Sequence, residues 1–240
     1  GGNRPTDSYL NMNNIISAAV ATGCNAIHPG YGFLAENDKF AEIVEKCNLK
    51  FIGPGHDVIK KCGNKTLARK IAKECGVPVA EGSDGTVDTV VRGLEVAKKI
   101  GYPVLLKAVN GGGGKGIGIV YEKGEFKQVF DRMAMEAKAN FGDQALYLEK
   151  YIENPRHIEV QILADTFSNV IHLGERDCSV QRRNQKIIEE APSPFINQKL
   201  RDDLGKSAIV IAKHVGYKNA GTMEFIVDKE GNYYFIEVNT

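Results

Sequence analysis

The order of hydrophobic and polar positions alternates between helical and extended periods in the N-terminal part of the chain. Apolar residues recur at helical spacing near positions 15–20 and 40–47, and the short runs at 25–27 and 50–52, each with two apolar residues, are typical of strands. Because helices and strands alternate over short connections, the pattern predicts part of a doubly wound, Rossmann-like parallel sheet over residues 1–56.

The pattern changes in the middle of the chain. A stretch rich in Lys and Ala predicts a linker helix at 57–79, which must end near Pro78 because proline cannot continue a helix. The next segment, 80–151, predicts a small α+β unit. Its expected elements are a helix at 89–100, strands at 102–108 and 117–121, a helix at 126–139 and a strand at 146–151.

The last segment, 152–240, predicts a second α+β unit. Its expected elements are strands at 157–163 and 169–173, a charged loop at 175–190, a helix at 198–215 and a final hairpin at 222–238. The predicted fold class is therefore mixed, α/β and α+β, with a partial Rossmann-like domain followed by two further units.

Composition narrows the class of protein. The chain has 240 residues, of which 42% are hydrophobic and 25% charged, and its net charge is +1, so no charge excess indicates nucleic-acid binding or a polybasic membrane anchor. The sequence shows no apolar stretch long enough for a membrane span and no secretory leader, and we expect a soluble, cytoplasmic protein. Five scattered cysteines without a C-x-x-C pair indicate free thiols in a reducing compartment.

A glycine cluster is the first candidate for chemistry. Gly111, Gly113 and Gly116 match the spacing of a dinucleotide-binding loop, but a strand follows where that motif requires a helix. A Walker A loop is excluded because Gly116 stands where Ser or Thr must follow Lys115. We expect a glycine loop between two antiparallel strands that closes over phosphates, with Lys107 and Lys115 supplying positive charge. A hairpin tip without a ligand is the alternative.

The final hairpin is the second candidate. If its strands pair symmetrically about the turn at 228–232, Glu224 lies opposite Glu237, and Asn239 shares their face. Facing carboxylates repel unless a cation lies between them, and oxygen ligands suit Mg²⁺ bound together with phosphates. Two carboxylates that merely face solvent are the alternative.

Two polar stretches lie between these signals. The strand at 157–163 places its polar side chains on one face and its apolar side chains on the other. The segment at 175–190 carries three cations within five positions, which suits anion binding, although ion pairs with neighbouring acidic residues are the simpler interpretation. The residues concerned are His157, Glu159 and Gln161 in the strand and Arg182, Arg183 and Lys186 in the charged segment.

Motifs along essentially the whole chain resemble biotin carboxylase, the ATP-grasp component of acetyl-CoA carboxylase and of other biotin-dependent carboxylases. They include the runs HPGYGFLAEN at 28–37, FIGPG at 51–55, EKYIENPRHIE at 149–159, ERDCSVQRR at 175–183 and FIEVNT at 235–240. Lys65 in its helix and Lys107 before the glycine loop belong to the same pattern.

The resemblance implies an ATP-grasp fold with a small lid unit and an enzyme that uses ATP, Mg or Mn, and bicarbonate to carboxylate biotin through carboxyphosphate. It also implies partners, namely a biotin carboxyl carrier protein or domain, a carboxyltransferase component and a second copy in a homodimer. Lys186 would contact bicarbonate. The implied ATP-site residues are Lys65, Lys107, Gly112, Gly113, Gly114, Glu149, Lys150, Ile152, His157, Gln181 and Asn184, and the implied metal ligands are Glu224, Glu237 and Asn239.

The chain departs from the pattern at three positions. Asn184 stands where relatives often have an ATP-site histidine, and Asn110 and Gly118 replace a common glycine and a common arginine near the glycine loop. The family's sequence also starts before Gly1 and places further catalytic groups beyond Thr240. We therefore expect an internal fragment that binds ATP without completing the reaction. The alternatives are another ATP-grasp ligase, such as carbamoyl-phosphate synthetase, and a non-catalytic nucleotide-binding module.

Overall fold

A computed structural model describes residues 2–109, 116–182 and 185–240 of the protein. Within these ranges the chain has seven α-helices and ten strands, and the strands form three sheets. The first sheet is small and parallel, as the alternation of helix and strand predicted. Its unit contains α1 (Met12–Ala21), β1 (Ala26–Ile27), α2 (Asp38–Lys46) and β2 (Lys50–Phe51).

The prediction of one continuous linker helix is wrong, because the segment forms two helices. They are α3 (His56–Gly63) and α4 (Lys65–Glu74). Asn64 separates them because its backbone is extended and its side-chain Oδ1 accepts a hydrogen bond from the Leu67 amide at 3.0 Å. Asparagine is among the preferred residues at a helix N-terminus, where it satisfies a backbone donor that has no partner within the helix.

The middle unit, which we call the lid unit (residues 80–151), holds a three-stranded antiparallel sheet. Its elements are α5 (Val90–Ile100), β3 (Val104–Ala108), β4 (Ile117–Val120), α6 (Phe126–Phe141) and β5 (Leu146–Lys150), and β3 lies in the centre of the sheet. The two strands that flank the glycine cluster are antiparallel, as predicted, while residues 110–115 lie outside the described ranges. Leu106, Phe126 and Leu148 are fully buried between this sheet and its helices.

The third unit is a five-stranded antiparallel sheet covered on one face by a long helix. Its elements are β6 (Arg156–Ala164), β7 (Val170–Arg182), β8 (Gln185–Glu190), α7 (Gln198–Val215), β9 (Asn219–Val227) and β10 (Tyr233–Asn239), in the spatial order β10-β9-β6-β7-β8. Apolar side chains of β6 and β9 pack with Leu204, Ala208 and Ile211 of α7 in one core. The opposite face of the sheet carries the polar side chains.

The predicted charged loop at 175–190 is wrong, because most of it forms β7 and β8. Charged residues weaken the signal for a strand, but here Arg176 lies opposite a charge of the other sign. Glu159 of β6 pairs in register with Arg176 of β7, and their side chains form an ion pair. Such cross-strand pairs stabilise a strand whose composition suggests a loop.

A β-bulge sets the alignment of the last two strands. Phe235 pairs with Phe225, whereas the next paired residue, Glu237, lies opposite Glu224, so that Ile236 is the extra residue. Asn239 pairs with Thr222 further along the same ladder. Among the described residues, no helix has both the length and the apolar character needed to cross a membrane.

Candidate functional site

A cavity of about 570 Å³ lies between the lid sheet and the polar face of the five-stranded sheet. Strands β3, β4 and β5 contribute one wall, and β7, β9 and β10 contribute to the other. Nine of the expected ATP-site and metal residues line it, namely Lys65, Lys107, Glu149, Lys150, Ile152, His157, Gln181, Glu224 and Glu237, and Gly118 lines it as well. Gly112, Gly113, Gly114 and Asn184 lie outside the described ranges.

The lid wall contains a buried carboxylate held by two cations. Glu149 is 4% exposed and forms ion pairs with Lys107 and with Arg69, the latter at 2.6 Å. Burial alone would lower the pKa of Lys107, but the Glu149 carboxylate outweighs burial and raises that pKa above its ordinary value. Lys107 is therefore a fixed positive charge at the cavity wall throughout the neutral pH range.

Lys150 is the next residue of the same strand, and its side chain has a structural contact. Its Nζ donates hydrogen bonds to the carbonyl oxygens of Gly101 at 3.0 Å and Tyr102 at 2.9 Å. These bonds hold the turn that leads into β3. Ile152, two residues further on, is half-buried and presents apolar surface to the cavity.

The opposite wall centres on Glu224, which is 3% exposed. Its Oε1 accepts hydrogen bonds from Lys186 at 2.6 Å and from the Asn239 amide at 2.5 Å. Gln181 Nε2 donates to His157 Nδ1 at 2.7 Å, so His157 Nε2 is the nitrogen that donates to Glu224 Oε2, at 2.5 Å. Three side chains thus hold both oxygens of one carboxylate.

These contacts determine the charge of Glu224. Burial would raise the pKa of its carboxyl, but the hydrogen bonds from His157 and Lys186 outweigh burial and lower that pKa to about 2. Burial alone would lower the pKa of Lys186, whereas the carboxylates of Glu159 and Glu224 raise it. Both groups are ionised at neutral pH.

The register places Glu224 opposite Glu237, and Asn239 contacts Glu224 as well. The repulsion expected between the two carboxylates is offset by the protein's own cations. Lys186 contacts Glu224, and Lys65 Nζ lies 3.6 Å from Glu237 Oε2. Glu224 and Glu237 line this cavity, and Asn239, which does not line it, contacts Glu224. The two carboxylates and the amide oxygen form an oxygen-rich donor set, which fits a hard divalent cation such as Mg²⁺.

The sequence pattern assigns no role to Glu159 and does not distinguish Arg176 from its neighbours. Glu159 is 4% exposed and pairs with both Arg176 and Lys186. It lines a second cavity, of about 490 Å³, together with Arg176 and Gln161. The alternation of polar and apolar residues in β6 could have indicated a role for Glu159, because it places Glu159 on the same face of the strand as His157. Lys186 contacts one residue of each cavity, because Glu159 belongs to the second and Glu224 to the first.

Comparison with protein families and known structures supports the resemblance noted in the sequence. Residues 1–59 match the biotin carboxylase N-terminal domain family, and residues 64–240 match the family described as carbamoyl-phosphate synthase L chain, ATP-binding domain. The biotin carboxylase of Nostoc sp. is 53% identical over 233 residues, which are 97% of this chain and 52% of that protein. Biotin carboxylase 1 of Bacillus subtilis is 52% identical and is matched over 98% of this chain and 52% of its own length. The chain therefore spans about half the length of these relatives.

Two solved structures resemble the fold over its whole length. The Campylobacter jejuni biotin carboxylase in complex with β,γ-ATP has a TM-score of 0.96 at 49% identity and covers 100% of this chain and 54% of its own. The biotin carboxylase domain dimer of Hydrogenobacter thermophilus 2-oxoglutarate carboxylase, in complex with MgADP, ADP and bicarbonate, has a TM-score of 0.95 at 51% identity and covers 100% of this chain and 53% of its own. The chain belongs to the biotin carboxylase family, and its fold is an ATP-grasp fold preceded by part of a Rossmann-like domain.

Proposed function

We propose that the chain forms the nucleotide-binding part of an enzyme that uses ATP and bicarbonate to carboxylate biotin on a carrier protein through carboxyphosphate. The observation that carries the proposal is the 570 Å³ cavity, where cations and carboxylates from two sheets meet. Relatives and structural neighbours named biotin carboxylase, and a neighbour that binds MgADP and bicarbonate, support the same chemistry.

The proposed contacts divide the cavity into an adenine side and a phosphate side. A buried strand end with an apolar side chain beside it suits a flat base, while lysines suit phosphates as point charges. Glu149, Lys150 and Ile152 form the adenine side, Lys65 and Lys107 bind the phosphates, and His157 and Gln181 complete the site.

Glu224, Glu237 and Asn239 are the proposed ligands of Mg²⁺ or Mn²⁺. The low pKa of Glu224 keeps its carboxylate charged for this purpose at any pH near neutrality. When bound, the metal supplies positive charge that neutralises the phosphates during phosphoryl transfer.

Lys186 is the proposed contact for bicarbonate. Its ammonium stays protonated because two carboxylates raise its pKa, and it lies where residues of the two cavities meet. Transfer of the γ-phosphoryl group to a bicarbonate oxygen releases ADP and forms carboxyphosphate, and a cation that holds bicarbonate in place lowers the entropic barrier to that step.

The partners follow from the reaction. Biotin must arrive on a carboxyl carrier protein or domain, and the carboxyl group must pass on to a carboxyltransferase component. We further propose a homodimer for the longer protein, since the Hydrogenobacter thermophilus neighbour is a dimer, and a cytoplasmic location. The proposed division of the chain is 1–56 for the Rossmann-like part, 57–79 for the linker, 80–151 for the lid unit and 152–240 for the second ATP-grasp unit.

Calorimetric titration with MgADP and MgATP tests the nucleotide site. We expect both nucleotides to bind, and Lys107→Gln to weaken binding about tenfold or more because a buried charge at the phosphates is lost. Lys127→Gln is the matched control, since Lys127 is exposed on α6 and forms a surface ion pair with Asp131, one turn further along the same helix. Failure of the wild-type chain to bind either nucleotide, or equal affinity in Lys107→Gln, would contradict the proposal.

Turnover distinguishes the alternatives. In a longer protein that includes this chain, ADP release should require both bicarbonate and biotin. ADP release that requires ammonia in place of biotin would indicate carbamoyl-phosphate synthesis. Nucleotide binding without any ADP release would indicate a non-catalytic module.

A further inference from the structure

Arg69 joins three parts of the molecule near the proposed nucleotide site. It lies on α4, and its side chain is 12% exposed. Nη1 donates to Glu149 Oε2 at 2.6 Å, and Nη2 donates to the Ala80 carbonyl oxygen at 2.6 Å. The guanidinium also lies 5.9 Å from the ring centre of Tyr147. One planar group on α4 therefore contacts both the first residue of the lid unit and the lid strand β5.

The backbone at 78–83, which we call the strap, is bonded on both sides. The Phe235 amide of β10 donates to the Pro78 carbonyl at 2.8 Å, and the Lys150 amide of β5 donates to the Glu81 carbonyl at 2.7 Å. The strap thus connects the five-stranded sheet to the lid sheet. Arg69 fixes both the strap and Glu149 to α4, because it holds the Ala80 carbonyl and the Glu149 carboxylate at the same time.

Charge gives Arg69 a second role. Glu149 is buried and forms ion pairs with two cations, Arg69 and Lys107. When the Lys107 ammonium interacts with nucleotide phosphates, its ion pair with the Glu149 carboxylate is weakened. A buried charge without a partner is strongly unfavourable. Arg69 remains in contact with Glu149 on its other oxygen and can keep that charge neutralised.

We propose that Arg69 is a positioning residue of the nucleotide site, which neutralises Glu149 so that Lys107 can direct its charge to the phosphates. This inference rests on the proposed function, since it requires that phosphates bind beside Lys107. Arg69 itself does not line the 570 Å³ cavity. Its effect on nucleotide affinity must therefore pass through Glu149 and the strap.

The test is a double-mutant cycle measured by calorimetry with MgADP. We expect Arg69→Gln to weaken binding about tenfold, whereas the control Lys70→Gln, an exposed neighbour on α4, stays within about twofold of wild type. In a Glu149→Gln background the buried charge is absent, so the further loss caused by Arg69→Gln should shrink to about twofold or less. An equal loss in both backgrounds would mean that Arg69 only supports the strap, and it would overturn the inference.

A conservative variant covers the case in which Glu149→Gln binds too weakly to measure. Arg69→Lys retains the positive charge but cannot bond the Ala80 carbonyl and Glu149 with one planar group. It should recover affinity to within about threefold of wild type if charge is the cause, and an affinity as low as that of Arg69→Gln would overturn the inference. If Arg69→Gln binds as tightly as wild type, this inference fails alone. If wild type does not bind MgADP, the proposed function fails first.

Discussion

Replacing Glu159 with Gln tests the charge balance at the junction of the two cavities. The substitution keeps the shape of the side chain and removes its charge. Glu159 is 4% exposed, and its two oxygens contact Arg176 and Lys186, each of which is less than one third exposed. Both cations would lose a buried partner in the variant.

The size of the effect follows from what each cation retains. Removal of one partner from a buried ion pair costs about 3–5 kcal/mol when the other charge is left without compensation. Here Lys186 keeps Glu224 at 2.6 Å. Arg176 keeps an ion pair with Glu189 at 3.7 Å and two hydrogen bonds to Gln161 at 3.1 Å. We therefore expect a smaller loss of unfolding free energy, about 2–3 kcal/mol. For a chain of this size that corresponds to a fall of about 4–12 °C in the melting temperature.

Thermal unfolding followed by circular dichroism at neutral pH measures this loss. Glu95→Gln is the control, because Glu95 is 65% exposed and its ion pair with Arg92 is a surface contact worth less than about 1 kcal/mol. In a Lys186→Met background the loss caused by Glu159→Gln should become smaller, since one of the two cations that lose a partner is absent. A melting temperature for Glu159→Gln equal to that of the control would refute the reasoning.

Three further predictions test other parts of the structure. Gly93→Ala should destabilise the lid unit by about 1–3 kcal/mol, because an added Cβ would come within 2.4 Å of the fully buried Phe126 ring, and selective loss of hydrogen-exchange protection in residues 90–150 would show it. Burial raises the pKa of the Cys178 thiol to about 12, so at pH 8 only about one thiol in ten thousand is ionised, and iodoacetamide followed by mass spectrometry should label exposed Cys24 first. Glu237→Gln should weaken nucleotide binding in the presence of Mg²⁺ more than in its absence, and equal losses in both titrations would argue against a metal ligand.

Helix α7 shows why some elements can be predicted to the residue. The predicted bounds, 198–215, agree with the structure, in which Asn197 caps the N-terminus by accepting a hydrogen bond from the Leu200 amide. Gly216 follows the helix with a φ of 71°, a conformation that glycine adopts at little cost. Local chemistry fixes both ends, so the sequence is sufficient. Strands β7 and β8 could not be predicted in this way. Their charged residues suggest a loop, and these charges are balanced by residues distant in sequence, such as Glu159 opposite Arg176.

The pair of Glu224 and Glu237 shows how a correct prediction can depend on a feature that the sequence does not reveal. The hairpin ladder begins with Tyr233 opposite Val227 and continues to Phe235 opposite Phe225. Continued without interruption, this ladder would place Ile236 opposite Glu224 and turn Glu237 to the face that packs against α7.

The bulge at Ile236 shifts the ladder by one residue. It brings Glu237 and Asn239 to the polar face and turns Val238, which is 6% exposed, into the core. Strictly symmetric pairing about the turn at 228–232 has the same centre as the first part of the ladder and places Ile236 opposite Glu224, so the expected pairing of Glu224 with Glu237 arises only through the bulge. Ile236, the extra residue of the bulge, lines the cavity, and its insertion turns Glu237 to the polar face. The bulge is therefore part of the site.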